Sequence, residues 1–279
     1  MFSRIVLIIV AAALAATAAG CGGEARDAGG EVVASFYPLA WAVSELAPDR
    51  SVRNLTPAGA EPHDLELTPS QARAIAEADL VVYLGGGFQP AVERALESRS
   101  GSTFDAIQRE PPAAGDPHVW LDPVAFALIV DRLGGALGAR AEAKHLTARL
   151  QMLDREFRAG LRRCKRRVLV TSHAAFGHLA RRYGLRQVAL TGLAPEAEPG
   201  PSALAALVDT VRSTGTTIVF FETLVSPALA RTVAAEAGAG TAVLDPLEGL
   251  SEARLSAGAN YLTVMRENLA ALRAALDCQ

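Results

Sequence analysis

Five side chains in this sequence have types and positions that suit metal chemistry: His63, His118, His173, Glu222 and Asp245. His173 directly follows the β-branched run VLVTS, Glu222 follows TIVFF, and Asp245 follows TAVL. In open parallel sheets, ligands bind beyond the carboxyl ends of the strands, which is where these three residues fall. His63 sits in the loop after SVRNL, and His118 lies in a loop ahead of a long helical stretch. Three imidazoles with a carboxylate form a tetrahedral zinc set, because zinc favours nitrogen where manganese prefers oxygen and higher coordination. Each residue also has an ordinary reading. A loop histidine is usually solvated and idle, an Asp before Pro commonly caps a turn, and Glu222 could be an ion-pair partner. His145 lies in a charged helical segment and reads as solvated. His178 is five residues after His173, off the three-or-four spacing of one helix face, and reads as surface or as support behind the site.

The elements that must carry these residues alternate. Strands are expected at 32–36, 51–55, 80–84, 103–107, 168–172, 187–190, 217–221 and 241–244. Helices are expected at 38–45, from Thr68, and at 90–97, 176–183, 202–213, 227–237 and 259–276. That rhythm predicts an α/β fold with parallel sheets flanked by helices. Thr68-Pro69-Ser70-Gln71 has capping-box spacing with proline at the first helical position. Asp122-Pro123 opens a stretch to about residue 163 with no internal proline. Unbroken, it would be roughly 60 Å long, enough to bridge two lobes, although Gly134, Gly135 and Gly138 could bend it. The expected organisation is a leader (1–20), a tether (21–30), a first lobe (31–122), a linking helix (123–163) and a second lobe (164–279).

The 279 residues are half apolar and carry a net charge of −3. This excludes global disorder and argues against a nucleic-acid binder. Nucleotide-loop, hydrolase-elbow and metalloprotease motifs are missing, and Gly85-Gly86-Gly87 reads as a turn or a close backbone approach. Residues 1–20 combine Arg4, a 16-residue apolar run from Ile5 and small residues before Cys21, which makes a secretory signal too short to span a membrane. Ala18-Ala19-Gly20-Cys21 resembles the bacterial lipobox, which implies a lipidated Cys21, an exported protein and a Gly-rich tether. An oxidising compartment suits a bridge between Cys164, at the end of the long helix, and Cys278, at the end of the last helix; two free buried thiols are the alternative.

Five segments in order carry a wider resemblance: EPHDLELTPSQ, DPHVWLDP, VTSHAAFGHLARRYGL, VFFETLVSP and LDPLEGL. Together they look like the zinc- and manganese-binding solute-binding proteins of bacterial ABC importers, cluster A-I, over residues 31–277. The resemblance implies two lobes joined by one long rigid helix, with the metal in the cleft between them. It places ligands on His63, His118, His173 and Asp245, with Glu222 recurrent behind them. Histidine at position 173 is the zinc type. The implied protein binds one Zn2+ per chain, with Mn2+ or iron as the alternative, and hands it to an ABC permease. It is a lipid-anchored monomer that catalyses nothing. The long His-rich insertion of many zinc members is missing from REPPAAGDPH (109–118). Two readings from other classes are a zinc hydrolase using Glu222 as base, and an adhesin, a label often attached to this family.

Overall fold

A computed structural model describes residues 30–108, 115–193, 200–224 and 226–279. The expected leader, Cys21 and most of the tether lie outside the described residues, as does much of the 109–118 stretch. The first lobe runs β1 (Val32–Ala34), α1 (Tyr37–Leu46), β2 (Val52–Asn54), α2 (Pro69–Glu77), β3 (Leu80–Tyr83), α3 (Pro90–Glu97) and β4 (Ser102–Asp105). A short 3-10 turn (Val119–Leu121) leads into α4 (Pro123–Leu137) and α5 (Arg140–Leu161). The second lobe runs β5 (Val168–Thr171), α6 (Gly177–Arg182), β6 (Arg186–Ala189), α7 (Pro201–Ser213), β7 (Ile218–Phe221), α8 (Ala228–Ala237), β8 (Gly240–Val243), α9 (Glu252–Ser256) and α10 (Tyr261–Leu276). Among the described residues no helix is long and apolar enough to cross a membrane.

Each lobe holds one four-stranded, all-parallel sheet, ordered β2-β1-β3-β4 in the first and β6-β5-β7-β8 in the second. The two orders are the same pattern, so each lobe has its strand reversal between its first and third strands, where loops part and leave a crevice. Strand alternation explains the layers. Val32 and Ala34 of β1 face the main core, whereas Val33 faces a smaller cluster with Leu55, Ile75, Val81 and Val92. In β5, Leu169 joins the main core and Val170 joins a cluster with Val208, Val211, Val219 and Val233. The main core is continuous across both lobes: Phe36 and Trp41 connect through Leu153 and Phe157 of α5 to Phe220, Tyr261 and Leu272.

The expected single helix over 123–163 is two helices. Asp122 caps α4, its carboxylate accepting from the N–H groups of Val124 and Ala125 at 2.9 and 3.3 Å. Gly138 then ends α4 in the left-handed region at φ 72°, the conformation that favours glycine at a helix C-terminus. The chain turns back, and Gly134 packs so closely on Ala143 that an added Cβ would lie 2.3 Å from that methyl. Of the two, α5 is the longer, and it buries Leu146, Leu150, Leu153, Phe157 and Leu161 in the main core. Elsewhere the local rules hold. Thr68 and Gln71 form the reciprocal capping box at the start of α2.

Cys164 and Cys278 are joined by a disulfide across a separation of 114 residues. It ties the end of α5 to the end of α10 at the amino-terminal edge of the second sheet, far along the strands from His173. A bridge closing so long a loop constrains the unfolded chain strongly, and typical native disulfides contribute about 2–4 kcal/mol. Paired Cys164→Ser and Cys278→Ser substitution should therefore lower the unfolding free energy by about that amount while leaving metal affinity intact. Denaturant melts with parallel binding titrations check it, and an unchanged midpoint would show that the bridge adds no stability.

Candidate metal site

Four loops converge where the two crevices face each other. The loop after β2 brings His63, the loop after β4 brings His118, the residues just beyond β5 bring His173, and the loop after β8 brings Glu248. One ligand atom from each lies within 4.8 Å of all the others. Glu248 Oε1 is 3.2, 2.9 and 3.3 Å from Nε2 of His63, His118 and His173, and Nε2 of His118 and His173 are 3.4 Å apart. Zinc bonds of about 2.0–2.1 Å in tetrahedral array require ligand separations of about 3.3–3.4 Å. The three distances to Glu248 and the His118–His173 separation are close to that size, and all three histidines present the same ring nitrogen.

The opposite ring nitrogens are held by carboxylates. His118 Nδ1 donates to Asp116 at 2.8 Å, and His173 Nδ1 donates to Glu222 at 2.5 Å. Such partners fix the tautomer, leaving Nε2 free to bind metal. Asp116 also accepts the backbone N–H of His118, and Ser172 donates to Glu222. His178 reaches across from α6 to donate to the Asp116 carbonyl at 3.0 Å, so it braces the His118 loop. His145 is an exposed residue of α5, away from the site.

His118, His173 and Glu248 are fully buried, and the His63 ring is the least covered of the four. Phe88 packs edge-on against His63, with ring centroids 4.6 Å apart. It is delivered by the Gly85–Gly87 turn, in which Gly86 and Gly87 take φ of 76° and 83°. Burial pushes Glu248 up, but hydrogen bonds from His118, His173 and His63 outweigh it and hold the carboxyl well below its ordinary value. Burial opposes charge on His173, yet Glu222 and Glu248 together push its ring up to about 10. His118 is raised too, against its burial, by Asp116 and Glu248. Burial and the nearby Glu248 charge push Glu61 up to about 8.

Asp245, the carboxylate expected from the sequence, stands outside this cluster. Its Oδ1 accepts from the Leu247 N–H at 2.8 Å, closing a turn, and burial pushes it up to about 6. The turn carries Leu247 in the left-handed region at φ 59° and aims Glu248 inward. Glu248 is thus the residue that sequence reading missed, although LDPLEGL showed two carboxylates three residues apart. Glu222 sits behind His173, its Oε1 accepting from Nδ1.

Residues 32–275 match the family described as zinc-uptake complex component A, periplasmic. The zinc-binding lipoprotein AdcA of Streptococcus pneumoniae is 34% identical over an alignment that takes in 88% of this chain and 56% of AdcA. The chain thus spans little more than half the length of that relative. The high-affinity zinc uptake system protein ZnuA of Bacillus subtilis is 32% identical over 99% of both chains. Among solved structures, the Zn(II)-bound ZnuA-like domain of S. pneumoniae AdcA superposes with a TM-score of 0.79 at 36% identity, covering 88% of this chain and 98% of that one.

Proposed function

Because the chain belongs to the zinc-uptake complex component A family, we propose that it is an extracytoplasmic capture protein for zinc. It is anchored through a lipidated Cys21, binds one ion per chain and delivers it to the permease of an ABC importer. The ligands are His63, His118, His173 and Glu248. The observation that carries this reading is the convergence of three imidazoles and one carboxylate, with one ligand atom from each within 4.8 Å of all the others.

The donors dictate the chemistry. Asp116 and Glu222 hold the Nδ1–H groups of His118 and His173, so the lone pairs on Nε2 face the cluster. Glu248 supplies a single negative charge in a dry site, which suits a divalent ion with borderline-soft nitrogen ligands. Four protein ligands leave no position for a reactive water, as in closed rather than catalytic zinc sites. Glu222, the base that a hydrolase reading of the sequence would use, lies behind His173 rather than facing the cluster, its Oε1 accepting from His173 and Ser172. This supports binding over hydrolysis.

Competition binding tests the assignment. The native protein is expected to hold one zinc per chain in native mass spectrometry and manganese much more weakly. His173→Glu should narrow that preference by replacing a nitrogen with a harder oxygen, while His145→Ala should leave it unchanged. Full zinc preference in His173→Glu, or loss of binding in His145→Ala, would overturn the site.

A further inference from the structure

Helix α10 buries Tyr261, Leu262, Val264, Met265, Leu272, Ala275 and Leu276, which are apolar or aromatic, and one amide, Asn268, which is 2% exposed. Asparagine is a poor helix former, and its buried polar atoms are costly unless hydrogen-bonded. Both ends of this amide are used. Its Nδ2 donates to the Asp245 carbonyl at 2.7 Å, and its Oδ1 accepts the Asp245 N–H at 2.9 Å. A single side chain thus grips both backbone groups of one loop residue.

The grip continues towards the site. Pro246 offers its carbonyl to the indole N–H of Trp120 at 2.7 Å, and the Leu247 N–H is taken by Asp245. Trp120 is itself fastened by Tyr261 of α10, whose hydroxyl donates to the Trp120 carbonyl. The three residues ahead of Glu248 are therefore each bound through the backbone. Glu248 then meets all three histidines through Oε1, while its Oε2 is buried without a partner.

We propose that Asn268 is a positioning residue that fixes Glu248 to offer one oxygen to the metal, and so favours four-coordinate zinc over manganese. This rests on Glu248 being a ligand. A loose loop would let the carboxylate turn and offer both oxygens, raising the oxygen content and coordination number in the direction manganese accepts. The clamp acts through the backbone of residues 245–247 and touches neither histidine nor metal.

The test compares Asn268→Ala in two backgrounds, native and Glu248→Gln, by zinc and manganese competition. In the native background, zinc affinity should fall by about 10–100-fold, as for other supports behind metal ligands, and the zinc-to-manganese ratio should narrow. In the Glu248→Gln background the same change should shift zinc affinity by no more than roughly threefold, because the coupled partner is gone. With cobalt(II) as a spectroscopic probe, the visible spectrum of Asn268→Ala should depart from the native one as Glu248→Gln does. An equal loss in both backgrounds, or unchanged zinc affinity in folded Asn268→Ala, overturns the proposal. If Asn268→Ala does not fold, Trp120→Phe takes its place, removing the N–H donor to Pro246 while keeping an aromatic ring. Unchanged zinc affinity in Glu248→Gln would instead overturn the ligand assignment itself.

Discussion

His118→Ala and Glu248→Gln are each expected to weaken zinc binding by about two to three powers of ten, whereas Asp245→Asn should stay within about tenfold of the native protein. Four-ligand zinc sites have apparent binding free energies of about 10–16 kcal/mol, or about 2.5–4 kcal/mol for each ligand. His118 is fully buried and lies 2.9 Å from Glu248 and 2.8 Å from Asp116, so its loss removes a metal bond and leaves two carboxylates facing a hole. Asp245→Asn keeps an oxygen that can accept the Leu247 N–H, and the turn should survive. Titration against chelators of graded affinity measures all three. If Asp245→Asn cost as much as Glu248→Gln, the ligand carboxylate would have been placed on the wrong residue.

Zinc affinity should keep rising with pH beyond neutrality, and each zinc bound at pH 7 should expel at least the proton held by His173. Metal binds only unprotonated imidazole nitrogen. His173 is pushed up to about 10 by Glu222 and Glu248, so in the metal-free site its ring carries a proton at pH 7 that zinc must displace before Nε2 can bind; Asp116 and Glu248 raise His118 in the same direction. Raising the pH removes that competition, and each such proton changes apparent affinity by about tenfold per pH unit below its pKa. Ordinary histidines near 6.5 would give a plateau above pH 7; the paired carboxylates move the steep region upward. For the metal-free fold the sign is opposite. The stabilisation from raising His173 is fully present below the unfolded histidine value and is lost as the pH climbs to about 10. Calorimetry in buffers of different protonation enthalpy reads the proton count. Flat affinity between pH 7 and 8.5 with no proton release would show that the rings are neutral before metal arrives.

Much of the scaffold was legible because its signals are local. VLVTS, TIVFF and TAVL announce strands by composition, and a residue just past the end of a parallel strand lies at the edge of the sheet where ligands bind. Thr68 and Asp122 are capping residues whose hydrogen bonds are made within three positions. Two features needed tertiary information. Whether Gly138 bends or ends a helix depends on what packs against the next segment, and here Ala143 returns onto Gly134. Which carboxylate of LDPLEGL turns inward depends on Leu247 at φ 59°. A left-handed backbone is costly for a leucine, so no sequence rule would place one there. The side chain of Leu247 is fully buried in the main core, and that burial offsets the strain.

The proposed ligands divide evenly, His63 and His118 from the first lobe and His173 and Glu248 from the second. The site is therefore a coincidence detector for folding. Half a site offers two donors with no enforced geometry, too few to close a tetrahedron around zinc. A chain still in extended form keeps the two halves apart and holds no metal between them. On the proposed function, zinc capture would start only where both lobes have folded against α5, so the place of capture would be set by where the core closes.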